Sequence, residues 1–291
     1  MAMAINSVKQ MVDAELEGRS FFATWRKQPT QTTGAGIWFD LSMSPGNPTP
    51  NYYAAAPNIA IALAQSTDGG IPHGGPVASL GYKKYLKTFT ALTTTATAVP
   101  LPMLLCDYLM YYPFVDMSVT DYQPLTTNIA LPRYPTGKGV QIMAVEVAGQ
   151  LGAGNPKFQV QYTNQDGVAG CLTRPATCNT QVVNGTIITT APNTNGCGHP
   201  FLTLAPGDTG VRLIEGITFY TADVGLMALV LVEVVDDHMI RTIDAPAERN
   251  CFTDFGAMQQ IADDAYLNLL VCPNGTLSGA PIHGAITTIW G

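Results

Sequence analysis

Charge is what this sequence has least of: 12% of its 291 residues are Asp, Glu, Lys or Arg, about half the share usual in soluble domains. The 21 acidic and 14 basic residues give a formal net charge of -7. No run of Lys or Arg is present that could neutralise a series of phosphates, so direct nucleic-acid binding is not expected. Long apolar runs are also missing. The longest, "LMALVLV" from Leu226 to Val232, falls far short of the ~20 residues a membrane-spanning helix needs. The opening "MAMAINSVKQMVDAELEG" lacks the apolar core of a signal peptide and carries Lys9, Asp13, Glu15 and Glu17, so synthesis and folding in a cytoplasm are expected. Cys106, Cys171, Cys178, Cys197, Cys251 and Cys272 are scattered over more than half the chain, which does not match a compact disulfide framework and predicts free, buried thiols.

Motifs that carry chemistry are absent as well. There is no G-x-S-x-G, no H-E-x-x-H, no phosphate-binding lysine loop and no calcium loop. "TGKGV" around Lys138 lacks the leading glycine and the following Ser or Thr, and reads as a turn. In "GQLGAGNP" the glycines Gly149, Gly152 and Gly154 precede Pro156 and a strand pattern rather than a helix, which removes a dinucleotide loop. Cys171, Cys178, Cys197 and His199 could supply four zinc ligands, but the first spacing is wider than zinc loops use. "EVVDDHM" offers Glu233, Asp236, Asp237 and His238, which read as a strand end emerging into water. Asp107, Asp116 and Asp121 lie among Tyr108, Tyr111, Tyr112 and Tyr122; this would be the place for a sugar cleft with paired acids, though aromatics at strand spacing more often form core or subunit contacts. Asn184-Gly185-Thr186 and Asn274-Gly275-Thr276 read as turns. The expectation is a protein that is not an enzyme, with no catalytic, cofactor-binding or metal residues.

What is present is apolar and turn-rich: 46% hydrophobic residues, 28 glycines and 21 prolines. Ile5, Val8, Met11, Val12 and Leu16 recur at helical spacing and predict an N-terminal helix whose apolar stripe needs a partner. From Trp25 to Pro76, Pro and Gly crowd around one short apolar segment, "NIAIALAQ", as in an extended arm. Strand patterns follow in "YLKTFTALT", "PMLLCDYLMYYPFV", "GVQIMAVEVAG", "KFQVQYT", "TQVVNGTIITT", "TGVRLIEGITFYT" and "VGLMALVLVEVV", rich in β-branched and aromatic residues. "VQIMAVEV" and "LMALVLVEVV" are apolar on both faces, so each is covered on two sides, by the chain or by another subunit. "DFGAMQQIADDAYLNLL" has helical spacing with Asp254 as N-cap, and "GAPIHGAITTIWG" reads as a last strand or an arm.

These elements predict a mainly β fold: an antiparallel β-sandwich or jelly-roll-like body at 81–243, preceded by a helix and a Pro/Gly-rich arm at 1–80 and followed by a short helix and tail at 244–291. Low charge further predicts that part of the surface meets other subunits, in a homo-oligomer or larger assembly.

In "VQYTNQDGVAG", from Val160 to Gly170, a strand alternation stops on Asn164-Gln165-Asp166-Gly167, a reversal of a hairpin. Together with "FFATWRKQPTQTTGAGIWFDLSMSPGNPTPNYY", "PFLTLAPGDTGVRLIEGITF" and "GLMALVLVEVV", it resembles virion structural proteins of tailed bacteriophages, over roughly Phe21 to Val235. The resemblance implies a non-enzymatic particle component with no catalytic residues. By analogy it implies a decoration or cement protein on the capsid exterior, with the major capsid protein and copies of itself, as a trimer, for partners. A tail, adaptor or fibre-associated protein, or a carbohydrate- or receptor-binding module, is the alternative.

Overall fold

A computed structural model describes residues 4–149, 155–190, 199–255 and 258–291. In chain order, helix α1 (Val8–Leu16) leads into β1 (Ser20–Lys27), β2 (Phe39–Asp40), β3 (Gly46–Asn47), β4 (Ile61–Ala62) and the one-turn α2 (Gln65–Asp68). Next come β5 (Lys84–Thr93), β6 (Leu101–Asp116), β7 (Gln123–Pro124), β8 (Gln141–Ala148), β9 (Lys157–Asn164), β10 (Cys171–Leu172) and β11 (Ala176–Thr177). The remainder is β12 (Val211–Phe219), β13 (Leu226–Ile240), β14 (Ala247–Asn250), α3 (Cys251–Phe255), β15 (Gln260–Ile261), β16 (Leu267–Val271) and β17 (Ile282–Trp290). The fold is mainly β, as expected, with short helices near both ends.

The strands form three antiparallel sheets. The central sheet runs β2-β16-β6-β13-β8, with β4 joined to β6; the first flanking sheet runs β14-β5-β17-β1-β3, with β15 joined to β5; the second runs β10-β9-β12-β7, with β11 joined to β9. Length explains how one sheet serves two sandwiches. β6 has 16 residues and β13 has 15, so the ladder they share is roughly 50 Å long, more than one flanking sheet can cover. At one end Leu101, Met103 and Leu105 pack with Trp25, Phe89 and Ile286 of the first sheet. Toward the other, Leu109, Tyr112, Leu229 and Leu231 pack with Phe158, Val160, Ile217 and Phe219 of the second. A bulge that leaves Leu109 without a partner between the pairs Val232↔Tyr108 and Leu231↔Met110 shifts the alternation, so that Tyr108 and Tyr111 fall on the same face.

That face is the third core. Cys106, Tyr108, Met143, Val145, Val230 and Val232 are covered by Met43, Tyr53, Leu63 and Ile187. The two-sided apolar pattern of β8 and β13 therefore comes from the chain itself, since the Pro/Gly-rich segment folds over the central sheet instead of reaching out as an arm. β1, from the same N-terminal stretch, is integral too: it pairs with β17 from Ser20↔Ile289 to Lys27↔Ile282. The closing segment is thus a strand, with Ile286 and Ile289 buried, and residues of all three expected segments meet in the first sheet.

Three expectations on local structure need correction. The C-terminal helix is Cys251–Phe255 only, and Asn250, not Asp254, caps it, accepting from the Phe252 and Thr253 N–H groups. Downstream, the run "LNLLV" is β16, buried throughout between β2 and β6, where a strand apolar at four of five positions, broken by the buried Asn268, fits and a one-faced helix does not. Second, "TQVVNGTIITT" forms no ladder strand: Asn179 Nδ2 donates to the carbonyls of Ile187 and Thr190, and such side-chain bonds compete with sheet pairing. Third, "EVVDDHM" is the end of β13, which stops at Ile240, but it does not emerge into water throughout, because Asp236 is buried.

Candidate functional site

The most buried ionisable groups gather where the segments covering the central sheet cross it. Asp40, at the end of β2, is fully buried. Its carboxylate accepts from the Ser42 N–H and hydroxyl at 2.8 and 2.7 Å and from the Tyr108 hydroxyl at 2.7 Å, and the Tyr53 hydroxyl also donates to it. Burial raises its pKa against the pull of these donors. Nearby, Lys27 is buried and gives its ammonium protons to the carbonyls of Ser44 and Pro48, at 3.1 and 2.7 Å; burial pushes its pKa down to about 8, with Asp40 opposing.

Asp107 on β6 forms a second cluster. Arg133 grips it with two parallel bonds of 2.8 and 2.7 Å, and the Tyr266 N–H adds a third at 3.0 Å. Two further guanidinium protons go to the Leu63 and Tyr108 carbonyls, so Arg133 binds one covering segment to the sheet beneath. Directly across the ladder from Asp107 stands Glu233. Its Oε2 is buried without a hydrogen-bond partner, and burial, then the charge of Asp107, pushes its pKa up to about 7.

A third cluster closes the first sheet. Lys84 donates to His73 Nδ1 at 3.0 Å and to the carbonyls of Gly74 and Gly75. An ammonium can only donate, so Nδ1 is the acceptor and Nε2–H bonds the Ala265 carbonyl at 2.9 Å. Burial, then Lys84, pushes His73 down to about 4, which keeps it neutral.

Among these clusters, burial moves three groups toward neutrality: Glu233 up to about 7, and Lys27 and Lys84 down to about 8. Apart from Glu233, these groups act as cross-links, donating to or accepting from carbonyls, carboxylates, hydroxyls or an imidazole of the same chain. Two surface depressions accompany them. One, of about 740 Å³, is lined by Trp38, Met103, Asp237, His238, Arg241 and Arg249 among others; Arg249 lies 2.9 Å from Asp237 Oδ1 and 3.4 Å from Asp236 Oδ1. The second, of about 570 Å³, has a largely apolar wall including Phe21, Pro72 and Pro76. Its carboxylates are engaged: Asp263 accepts from the Val77 and Ala78 N–H groups and Asp264 from Ser66.

The residues singled out from sequence are dispersed. Tyr108 and Tyr112 are fully buried and Tyr111 nearly so, with the Tyr111 ring 5.1 Å from Tyr53; this aromatic segment is core and not a cleft. Asp116 holds the Ser118 N–H and hydroxyl, and Tyr122 is exposed over Gly216. Cys171 and Cys178 both adjoin the core between the central and second sheets, and Cys197 lies outside the described residues. The described cysteines Cys106, Cys171, Cys178, Cys251 and Cys272 are free thiols. Asp236 is buried, with the Cys251 thiol donating to it at 3.6 Å. The Val160–Gly170 hairpin forms as read: Asn164 Oδ1 accepts from the Asp166 and Val168 N–H groups, and Gly167 takes a φ of 80° in the turn.

Sequence reasoning missed Asp40 and Arg133. A signal existed: Asp40 is the only charged residue between Gln28 and Thr67, and Arg133 the only one between Tyr122 and Gly137. A lone charge in a long neutral stretch that covers a core must be paired when buried.

No known protein family and no curated protein matches this sequence. Among solved structures, the VP2 subviral particle of infectious bursal disease virus aligns over 93% of this chain and 80% of its own, at 8% identity and a TM-score of 0.17. A mutant VP2 of that virus in derived particles aligns over 93% and 77% at the same identity and score. A likeness at that score carries no argument about fold or function.

Proposed function

We propose that the chain is a non-enzymatic structural component of a tailed-bacteriophage particle, a decoration or cement protein that binds the head lattice from outside and stabilises it, with the major capsid protein and copies of itself as partners. The observation that carries this reading is the outward face of the first sheet. Register places Phe22, Thr287 and Thr88 in one row across it, Thr24, Ala285 and Thr90 in the next, and Arg26, His283 and Leu92 in a third. The opposite side chains, Ala23, Trp25, Phe89 and Ile286, are buried beneath. A sheet face meant for water ordinarily carries alternating polar and charged side chains; this one is rich in threonine, its charges Arg26 and, beside Thr90 on β14, Glu248 are of opposite sign, and it is suited to lie against another protein. Many modest contacts of that kind on a repeating lattice add up to high avidity.

Quantitative mass spectrometry of purified particles tests the reading. Copies in the hundreds per particle are expected, whereas about a dozen or fewer would overturn lattice decoration in favour of a tail or portal position.

A further inference from the structure

Helix α1 is amphipathic, yet it sits on the body by its less apolar side. Ala14 is fully buried, Glu15 pairs with Lys87 at 2.5 Å and accepts from the Ser20 hydroxyl at 2.9 Å, and Ser7 caps the helix by accepting from the Gln10 N–H. The apolar stripe faces the other way. Val8, Val12 and Leu16, at successive four-residue intervals, are 56%, 48% and 82% exposed. Ser20 shares the outward face of the first sheet with Phe22, which is 64% exposed, so the stripe and this ring rise from the same side of the molecule. Among the described residues nothing covers them.

We propose that this ridge is the contact with a second copy of the same chain, two α1 helices lying antiparallel across a two-fold axis with a Phe22 ring at each flank. Area supports that occupant. The four side chains present roughly 450 Å² of apolar surface, about what the apolar share of a standard interface supplies per partner. Charge supports it as well. One flank of the stripe carries Lys9 toward its N-terminal end and Asp13 toward its C-terminal end, 2.6 Å apart. About a two-fold axis the same flank of each antiparallel helix faces its copy, which brings Lys9 of one helix beside Asp13 of the other. The contact is self-complementary and closes after two copies, so the soluble unit is a dimer rather than the trimer that resemblance suggested.

Sedimentation or native mass measurement of the full chain at micromolar concentration tests this. The expected mass is twice 30.9 kDa. Val12→Lys and Phe22→Lys each weaken self-association at least ~100-fold and return the mass to that of one chain, with far-ultraviolet dichroism and thermal midpoint showing that the fold is kept. Val168→Lys, at an equally exposed apolar position on the Val160–Gly170 hairpin, leaves the dimer intact. A monomeric or trimeric parent, or a dimer that survives both ridge substitutions, overturns the proposal. It rests on the decoration reading only in expecting repeated copies: a dimer that never enters particles sinks that reading and leaves this contact standing.

Discussion

Glu233 gives the sharpest test of how the central sheet is held. It faces Asp107 across the ladder, and its carboxyl lies over Gly139, where an added methyl would come within 2.6 Å of Oε1. Burial and the neighbouring carboxylate raise its pKa from 4.5 to about 7. In the unfolded chain the same group loses its proton near the lower value. Between the two, the folded state holds a proton that the unfolded state has released, so the contribution of Glu233 to stability declines as pH rises through that window and is flat above it. The full shift would correspond to about 3 kcal/mol at 1.36 kcal/mol per unit. The side chain is partly exposed and water screens it, which leaves roughly 1–2 kcal/mol. Glu233→Gln removes the ionisation. Urea unfolding near pH 8 should show the variant more stable than the parent by roughly that amount, or about 2–5 °C in thermal midpoint. Near pH 5 most of the difference should be gone. A gain of equal size at both pH values, or a loss near pH 8, would refute the reasoning.

Two further substitutions probe the packing. Arg133→Met leaves Asp107 buried with the Tyr266 N–H as its remaining donor and strips the Leu63 and Tyr108 carbonyls of theirs, so urea unfolding should show a loss of about 3–5 kcal/mol; a loss below about 1 kcal/mol would mean that water replaces the guanidinium. Gly284→Ala puts a methyl 1.9 Å from the Thr90 carbonyl oxygen and 2.8 Å from the Trp25 ring, so the thermal midpoint should fall by an amount equivalent to about 2–4 kcal/mol, and an unchanged midpoint would show that β17 can shift away from β5.

Much of the scaffold was legible locally. β8, β9, β12 and β13 appear in the sequence as β-branched runs bounded by Gly, Pro or Asn, and those signals depend on near neighbours alone. The region Phe255 to Leu270 was misread for a physical reason. Ile261, Ala265 and Leu269 do share one core, but they reach it from a short strand, a turn and a longer strand, and helical spacing is one of several ways to place three side chains in one core. The arm from Trp25 to Pro76 was misjudged because Pro and Gly announce irregular backbone without saying what it lies against. Asp40 and Arg133 were overlooked because their partners are remote: Tyr108 lies 68 residues from Asp40, and Asp107 lies 26 from Arg133.

By itself the sequence determined that this would be a strand-built, charge-poor protein with a helix at its start and hairpins between its strands, because periodicity and turn chemistry act within a few residues. Only the tertiary structure decided that one long ladder is shared by two sandwiches, that the neutral N-terminal stretch covers its remaining face, and that α1 turns its apolar stripe outward. Those outcomes depend on which surfaces compete for burial once the chain is closed, and that competition is between residues far apart in sequence.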